Sequence, residues 1–378
     1  MKNSFSYWEQ KSFLSGFDVL IIGSGIVGLC AALNLKLQKP KLKIGVLEAG
    51  FLPGGASTKN AGFACFGSVS ELIEELKTGT EDEIAGIIEL RWGGLKKLRE
   101  NLGDRAISFE QYGGYEVFKS AETDFANTCI EQIPYFNKFL GSIIGKTDIY
   151  AVNNAKIAES SMNGITNVIK NKYEGQIDTG KMMSALLAKV QGVGIAVFNN
   201  CQVQKIESNS NNQVLITNQG KFQASAVIVA TNAFSKELIP ELDVVPGRGQ
   251  ILITEPIKGL KIKGSFHYNR GYTYFRNIDN RILLGGGRDL DFKTEQTLDP
   301  GITDIIQNYL EALLFETIIP NQKVKIEHRW SGVMGFGKEV KPIVKKIQPG
   351  LFCAVRCSGM GVAMGSLLGE QVAMLIDL

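Results

Sequence analysis

The segment from residue 17 to residue 48 constrains the fold of this 378-residue chain more than any other feature. The apolar run Phe17–Ile22 predicts a buried parallel strand, and an apolar helix is predicted directly after it. Between the two stand three glycines in GxGxxG spacing, Gly23, Gly25 and Gly28. Strand, glycines and helix in this order are typical of the phosphate-binding turn of a dinucleotide-binding βαβ unit.

Each glycine of the motif has a separate expected role. Gly23 allows the tight turn, Gly25 lets the backbone approach a diphosphate, and Gly28 lets the helix pack closely on the strand. The diphosphate is then expected at the helix N-terminus, beside the N–H groups of Ile26 and Val27, where the helix dipole favours negative charge.

A second strand is predicted at Lys43–Leu47 and ends at Glu48, twenty residues after Gly28. A carboxylate in this place accepts hydrogen bonds from the ribose hydroxyls of an adenosine. We therefore expect Glu48 and the adjoining Ala49 to bind the ADP half of a cofactor.

Composition is that of an ordinary soluble enzyme. The chain is long enough for two domains, 44% of its residues are hydrophobic, and its net charge of +3 does not favour nucleic acid or an anionic membrane as a partner. It lacks both the apolar core of a signal peptide and a stretch long enough to span a membrane. Six cysteines without CxxC spacing and only two histidines, His267 and His328, favour a reduced cytoplasmic protein without a metal site.

The residues after Glu48 distinguish FAD from NAD. They read AGFLPGGASTKNAGFACFGS, and small residues of this kind suit a backbone that lies against a flat ring and a ribityl chain. The segment Gly55–Gly62 resembles the GASxxNAG loop of the D-amino-acid oxidase, glycine oxidase and sarcosine oxidase superfamily of flavoproteins. The resemblance implies FAD, bound in this loop by Gly55, Ala56, Ser57, Asn60, Ala61 and Gly62.

The resemblance extends to later segments. A helix capped by Asp178 is expected to start near residue 179, and a buried strand ends at Ala230, Thr231 and Asn232, which the resemblance places against FAD. It also implies a backbone contact of Val203 with the adenine side, and contacts from Trp330 and Gly332 in the WSG segment. Sarcosine oxidases attach FAD to a cysteine near this segment, and this chain has none there, so we infer noncovalent FAD.

A buried strand predicted at Leu351–Val355 leads into a glycine-containing loop and a helix of small and apolar residues. In the resembling family this helix N-terminus faces the flavin pyrimidine ring, where reduction builds negative charge. The loop residues expected at FAD are Arg356, Ser358, Gly359, Met360 and Gly361. Glycine is commoner in the family at position 356, and histidine at position 360.

These segments predict an α/β fold. It combines a Rossmann-like FAD-binding domain of the glutathione-reductase type with a discontinuous α+β substrate-binding cap. We assign residues 1–67, 174–238 and 327–378 to the FAD-binding domain, and residues 68–173 and 239–326 to the cap. Helices are expected from about residue 71 to 103, and strands at Ser108–Val117 and in the second cap segment.

The strand around residue 274 is the predicted substrate contact. Alternation places Tyr272, Tyr274 and Arg276 on one face, and by resemblance Arg276 pairs bidentately with a substrate carboxylate. The alternative is a structural arginine, and Arg270, Arg281 and Arg288 are rivals for the same role.

The reaction that fits is hydride transfer from the carbon bearing an amine to flavin N5, in a small amine or amino acid. It requires a neutral amine, which a desolvated site favours without a dedicated base. Oxygen or another acceptor then reoxidises the flavin. Sarcosine oxidases use a lysine for oxygen where this chain has Leu283 and Leu284.

Two alternatives remain open at this stage. One is a flavin dehydrogenase of the 2-hydroxy-acid or glycerol-phosphate type. The other is an RNA-modifying or non-catalytic FAD-binding protein, although the chain has no cluster of aromatic and basic residues.

Overall fold

The structure is a computed structural model that describes residues 5–209, 212–320 and 322–378. Over these ranges the strands are β1 (Phe17–Ile22), β2 (Ile44–Leu47), β3 (Phe63–Ala64), β4 (Gly114–Lys119), β5 (Tyr150–Val152), β6 (Ile165–Asn171), β7 (Gly175–Gln176), β8 (Ala196–Phe198), β9 (Val203–Ser208), β10 (Gln213–Thr217), β11 (Gly220–Val229), β12 (Val245–Thr254), β13 (Ser265–Tyr268), β14 (Thr273–Ile278), β15 (Arg281–Gly286), β16 (Ile326–Phe336), β17 (Ile343–Gln348) and β18 (Leu351–Val355).

The α-helices over the same ranges are α1 (Tyr7–Glu9), α2 (Ile26–Gln38), α3 (Ala56–Lys59), α4 (Val69–Leu76), α5 (Glu81–Leu102), α6 (Thr123–Ile144), α7 (Ala155–Ser160), α8 (Thr179–Gly192), α9 (Phe292–Glu295), α10 (Asp304–Leu313) and α11 (Gly361–Met374). None of these helices is both long enough and apolar enough to pass through a bilayer.

The first sheet has the order β17-β18-β11-β1-β2-β8, with the β9–β10 hairpin attached to β11. Strands β8, β2, β1, β11 and β18 run parallel. Strands β1 and β2 are buried along most of their length, as the apolar runs in the sequence require. This is the doubly wound arrangement that the βαβ unit predicts, and the predicted α/β fold class is confirmed.

The second sheet has the order β16-β12-β15-β14-β13-β4-β6-β5 and is antiparallel apart from the β13–β4 pair. One face carries Leu252, Phe275 and Leu284, which pack against Ile306 and Leu310 of α10. The other face carries the intervening residues of the same strands and meets the loop after β2. We call this second face the inner face.

The sequence predictions differ from the structure at three boundaries. Strand β2 begins at Ile44, one residue later than predicted, and the strand expected at Ser108–Val117 is displaced to β4. Ser108 has a φ of +48°, a left-handed conformation that interrupts an extended strand. Strand β16 was assigned to the FAD-binding domain, but it is hydrogen-bonded to β12 in the second sheet.

Candidate functional site

Four loops meet at one edge of the first sheet because they follow the carboxyl ends of its parallel strands. They come after β1, β2, β11 and β18, which lie side by side in the order β2-β1-β11-β18. A doubly wound sheet binds its ligand at this edge. The predicted cofactor residues of the four loops are therefore brought together by the topology.

Two of the glycines after β1, Gly23 and Gly28, have the structural roles expected of them. Gly23 has a φ of +103°, which only glycine adopts readily, and its N–H donates to the Leu47 carbonyl at 2.8 Å. A Cβ atom built on Gly28 would lie 2.0 Å from the Gly23 carbonyl oxygen, so helix α2 packs directly against the turn. A Cβ atom on Gly25 would lie 2.9 Å from Ser57 Oγ, so glycine allows the serine to approach the helix N-terminus. The approach of Gly25 to a diphosphate stays a prediction.

The N-terminus of helix α2 presents donors for an anion. The Ile26 N–H donates to Ser57 Oγ at 2.9 Å, while the N–H groups of Val27 and Gly28 have no acceptor among the described residues. Ser57 is therefore placed at the helix end where the sequence predicts the diphosphate.

Glu48 closes the turn from the neighbouring strand. It is buried, and its Oε2 accepts hydrogen bonds from the backbone N–H of Ser24 at 3.0 Å and from Ser24 Oγ at 2.6 Å. Its Oε1 accepts from the Gly50 N–H at 3.0 Å. The Cys201 N–H donates to the Glu48 carbonyl, which brings the start of β9 at Val203 close to this acid. Ala49 beside it is exposed.

Glu48→Gln should weaken FAD binding by about 1–3 kcal/mol, or about 5- to 150-fold, since the amide retains only one acceptor oxygen. Titration of the apoprotein with FAD measures the change. Asp18→Asn is the matched control, because Asp18 Oδ2 accepts from the Lys43 N–H near the start of β2, at the other end of the strand. Equal dissociation constants of FAD for Glu48→Gln and the unaltered protein would show that Glu48 does not bind the ribose hydroxyls.

The loop after β2 is held by side chains of its own. Asn60 Nδ2 donates to the carbonyls of Ala56 and Ser57, and Asn60 Oδ1 accepts from the Gly62 N–H at 2.8 Å. Gly62 has a φ of +73°, and Ala61 next to it is buried. Gly55 precedes helix α3 as its N-cap. These contacts fix the backbone of the GASTKNAG loop, and its contacts with FAD stay a prediction.

Trp330 and Gly332 on strand β16 rest against this same loop. Trp330 Nε1 donates to the Lys59 carbonyl at 3.0 Å, and a Cβ atom on Gly332 would lie 3.0 Å from Lys59 Cβ. Both predicted residues therefore support helix α3 from the second sheet.

The loops after β11 and β18 are joined by Asn232. Ala230 packs beside Gly23, Thr231 follows it, and Asn232 Oδ1 accepts from the N–H groups of Arg356 and Cys357 at 3.0 and 3.3 Å. A single side chain thus connects two of the four loops.

The last loop has a left-handed backbone, with φ of +67° at Arg356, +46° at Ser358 and +83° at Gly359. A positive φ at position 356 is easier for glycine than for arginine, which agrees with the prevalence of glycine there in the resembling family. Met360 is the N-cap of α11, and the N–H groups of Gly361 and Val362 have no acceptor among the described residues. These groups are free to donate to a flavin carbonyl.

The Arg356 side chain is bonded to other parts of the protein and does not contribute to the N-terminus of α11. Its Nη1 donates to Asp243 Oδ2 at 2.6 Å, and its Nε donates to the Lys341 carbonyl at 2.8 Å. Only the backbone of Arg356 is thus available at the cofactor edge.

The inner face of the second sheet opposes the loop with a mainly apolar surface. We call the group formed by Ala61, Phe63, Ile251, Tyr274, Leu283 and Trp330 the inner patch. The rings of Phe63 and Tyr274 meet edge to face at 5.5 Å, and burial raises the pKa of Tyr274 to about 12. The inner patch is therefore a poorly hydrated surface next to the cofactor edge.

The predicted substrate contacts do not share one face as expected. Tyr272 precedes β14, is 40% exposed and packs its ring on Phe292, so the alternation of the strand does not apply to it. Leu284 lies in the core on the opposite face, whereas Leu283 belongs to the inner patch.

Arg276 is on the inner face, but it is buried and not a free cation. Its Nη1 donates to the carbonyls of Gly62 at 2.9 Å and Ile177 at 2.7 Å, and burial lowers its pKa to about 10. These contacts favour a positioning role, because one guanidinium connects the cofactor loop to the segment before α8. The contact of Arg276 with a substrate carboxylate stays a prediction, and it would have to use the guanidinium nitrogens other than Nη1.

Arg276→Lys should weaken FAD binding about tenfold, because the shorter lysine side chain does not bring its ammonium to the place where Arg276 Nη1 donates to both carbonyls, and a hydrogen bond from a charged group is worth about 1.5–3 kcal/mol. FAD titration and chemical unfolding measure this. Arg281→Lys, on the adjacent strand, serves as control. Normal FAD affinity with a raised KM for carboxylated substrates alone would instead support the contact predicted from sequence.

One buried group of ionisable residues was missed by the sequence analysis. Glu116, Glu174 and His267 lie together behind Phe63, and His267 contacts the Phe63 ring at 5.3 Å. The available signal was a glutamate inside the apolar strand YEVF and a histidine inside SFHY. Among the described residues, no set of three or more His, Cys, Asp and Glu side chains is arranged to hold a metal ion.

The fold and the four loops define a dinucleotide-binding oxidoreductase with a substrate-binding sheet, and the residues present fit FAD. N–H donors that have no acceptor among the described residues lie at the N-termini of α2 and α11, and both helices begin at the carboxyl edge of the parallel sheet. The chain belongs to the DAO family of FAD-dependent oxidoreductases, whose sequence profile matches residues 18–375.

Curated relatives support this assignment at low identity. The bifunctional protein ThiO/ThiG of Synechocystis sp. is 28% identical over 62% of this chain, which spans 32% of that longer protein. Glycine oxidase of Geobacillus kaustophilus is 23% identical over 96% of this chain and 93% of its own length. L-2-hydroxyglutarate dehydrogenase of Bos taurus is 24% identical over 82% of this chain and 70% of its own length.

The fold is also that of solved structures. L-proline dehydrogenase from P. horikoshii superposes with a TM-score of 0.75 at 19% identity, over 97% of this chain and 94% of its own. This likeness confirms the architecture.

Proposed function

We propose that this chain oxidises the C–N bond of a small amine or amino acid. The observation that carries the proposal is the inner patch, which lies directly against the cofactor loop and offers an aromatic, poorly hydrated surface. A site of this kind lowers the pKa of a substrate ammonium, and the neutral amine is the form that loses a hydride.

FAD supplies a two-electron acceptor for that hydride. The chain's own residues hold the substrate and exclude water. Phe63, Tyr274 and Trp330 present ring faces and edges to the substrate carbon, and Asn60 and Arg276 fix the loop against which it lies. Orientation of this kind contributes a large part of the barrier reduction in a unimolecular step.

A second candidate is the dehydrogenation of a 2-hydroxy acid. It is favoured by the similarity to L-2-hydroxyglutarate dehydrogenase and by the position of His267 behind Phe63. An alcohol, unlike a neutral amine, must lose a proton as its carbon is oxidised, and a histidine is the usual base.

Anaerobic addition of substrates to the purified holoprotein tests both. We expect the flavin absorbance to bleach with amines or amino acids and to persist with 2-hydroxy acids. Bleaching by hydroxy acids alone would establish the second candidate, and no bleaching by either group would contradict both.

We also propose that FAD is noncovalent. Cys65 follows the loop after β2 and Cys357 lies in the loop after β18, and burial raises the pKa of both thiols, to about 12 in Cys357. Since a thiolate is the reactive form, neither is suited to attack the flavin. Acid precipitation should leave the flavin in the supernatant, and a yellow pellet would contradict the proposal.

Oxygen should be a poor electron acceptor for this enzyme. Leu283 contributes an apolar side chain to the inner patch where oxygen-using relatives are expected to place a lysine, and a cation stabilises superoxide as it forms. We expect slow reoxidation of the reduced enzyme in air-saturated buffer and fast reoxidation by a quinone or dye. Stopped-flow absorbance measures both rates, and rapid reoxidation with stoichiometric peroxide would contradict the prediction.

A further inference from the structure

A small internal cavity lies between the inner face of the second sheet and the segment that follows the cofactor loop. Its volume is about 10 Å³, close to the minimum that holds one water molecule. The lining includes His267, Asn171, Glu174 and Glu116. An apolar cavity of this size would stay dry, whereas a polar one binds water.

Two buried donors or acceptors face this cavity without a protein partner. They are His267 Nε2 and Asn171 Nδ2, and both residues are less than 5% exposed. An unpartnered polar atom in the interior costs about 1–3 kcal/mol, and an internal water with two or more partners removes that cost. The unpartnered atoms therefore point to a bound water.

The carboxylates at the cavity are held in place by the chain. Glu174 Oε1 accepts from the N–H groups of Phe66 and Gly67 at 2.9 and 3.2 Å, and a Cβ atom on Gly114 would lie 1.9 Å from Glu174 Oε2. Glu116 accepts from Ser70 Oγ and, at 3.3 Å, from the Ser70 N–H at the start of α4. Glycine at position 114 makes the space that Glu174 occupies.

These groups form a line from the surface toward the cofactor loop. Glu71 is partly exposed, and its Oε2 lies 3.8 Å from His267 Nδ1. His267 Nε2 lies 3.9 Å from Glu174 Oε2. The two gaps are longer than hydrogen bonds, and an imidazole can accept a proton on one nitrogen and release it from the other.

The inner end of the line is next to the cofactor loop. Glu174 binds the backbone of Phe66 and Gly67, four and five residues after Gly62. Cys65 in the same segment places its Sγ 3.9 Å from Met360 Sδ, in the loop before α11. Glu174 is therefore bonded to the segment that follows the cofactor loop, and the same segment contacts the loop before α11.

We propose that Glu116, Glu174 and His267 form an internal proton site, completed by one water in the cavity, that takes up a proton from solvent when the cofactor is reduced. The two electrons go to the cofactor from substrate or from an added reductant. The proton enters through Glu71 and His267 and bonds to a carboxylate oxygen, and it leaves when an acceptor removes the electrons.

The pKa shifts of the buried groups agree with a role in proton uptake. Burial, together with the negative charge of Glu71, raises the pKa of Glu174 to about 8 and that of Glu116 to about 7. Burial lowers the pKa of His267. The other ionisable groups near this site are Glu71, Cys65, Tyr150 and Arg91, and Arg91 is paired with Glu75 at 2.7 Å.

The test is the pH dependence of the flavin midpoint potential, measured by reduction with dithionite and mediators, so that it does not depend on the substrate. One additional proton taken up with two electrons makes the slope steeper by about 30 mV per pH unit. Between pH 8 and pH 9.5, where Glu174 has released its proton in the oxidised protein, we expect this extra slope in the unaltered protein and its loss in Glu174→Gln and in His267→Gln. Glutamine at position 174 keeps an acceptor for the Phe66 and Gly67 N–H groups.

Glu311→Gln is the matched control, because Glu311 forms its ion pair with Arg329 on the other side of the sheet. Its slope should equal that of the unaltered protein. Two further measurements do not require bound FAD. The infrared spectrum of the apoprotein should contain the carbonyl band of a protonated carboxyl group, and this band should be absent from apo Glu174→Gln. A crystal structure should show an ordered water beside His267 Nε2. Equal slopes in all four proteins, or an empty cavity and no such band, would overturn the proposal.

Discussion

Gly28→Ala should unfold or strongly destabilise the protein and abolish FAD binding. The added methyl would lie 2.0 Å from the Gly23 carbonyl oxygen and 3.3 Å from Ala230 Cβ. Both the clashing oxygen and the helix are backbone, so no rotamer change relieves the contact. We expect a loss of about 3 kcal/mol or more of unfolding free energy, at the upper end of overpacking substitutions.

Gly86→Ala is the matched control for this substitution. Gly86 also lies in a helix, α5, but a Cβ atom there meets nothing within 4 Å. Alanine should therefore stabilise that helix by about 0.5–1 kcal/mol. Urea unfolding of the two variants, with FAD titration, measures the difference. Similar stabilities would show that helix α2 does not pack against the turn as closely as described.

Glu174→Gln should change how stability depends on pH. Burial raises the pKa of Glu174 from 4.5 to about 8 in the folded protein, so the folded state holds a proton that the unfolded state releases. The contribution of this group to stability is therefore complete below pH 4.5 and is lost as pH rises through 8.

Glutamine does not titrate, so the comparison isolates this one group. Relative to Glu174→Gln, the unaltered apoprotein should lose up to about 4 kcal/mol between pH 5 and pH 8, at about 1.4 kcal/mol per pH unit. Denaturant unfolding at several pH values gives the two curves. Parallel curves would show that Glu174 is ionised in the folded protein throughout this range.

The local features of the first sheet could be predicted from sequence because they depend on neighbours in the chain. The run Phe17–Ile22 is apolar along its whole length, and the glycine spacing after it serves only a tight turn against a helix. The cap at Asp178 was predicted for the same reason, since its Oδ1 accepts from the Lys181 N–H three residues later.

The loop after Glu48 and the family resemblance it carries added the identity of the cofactor, which the βαβ unit alone left between NAD and FAD. The match of the DAO profile to residues 18–375 confirms that FAD-dependent oxidoreductase assignment. The particular contacts of the cofactor residues remain predictions, although the topology brings their four loops to one edge.

Arg276 shows where sequence reasoning reached its limit. Alternation correctly placed Arg276 and Tyr274 on one face of a strand, but it could not say what lies opposite that face. The carbonyls of Gly62 and Ile177 come from segments 214 and 99 residues away in sequence. Tyr272 was misplaced because the strand starts one residue after it.

The sequence by itself determined the dinucleotide-binding unit, the α/β class and the resemblance to FAD oxidoreductases, since strand periodicity and turn glycines act over a few residues. Only the tertiary structure decided which side chains surround the buried space behind Phe63. Glu116, Glu174 and His267 come from three separate strands or turns, and packing of distant segments removes them from water together. Desolvation, which raises the pKa of the two carboxyl groups, is a property of that packing and has no signature in any short stretch of chain.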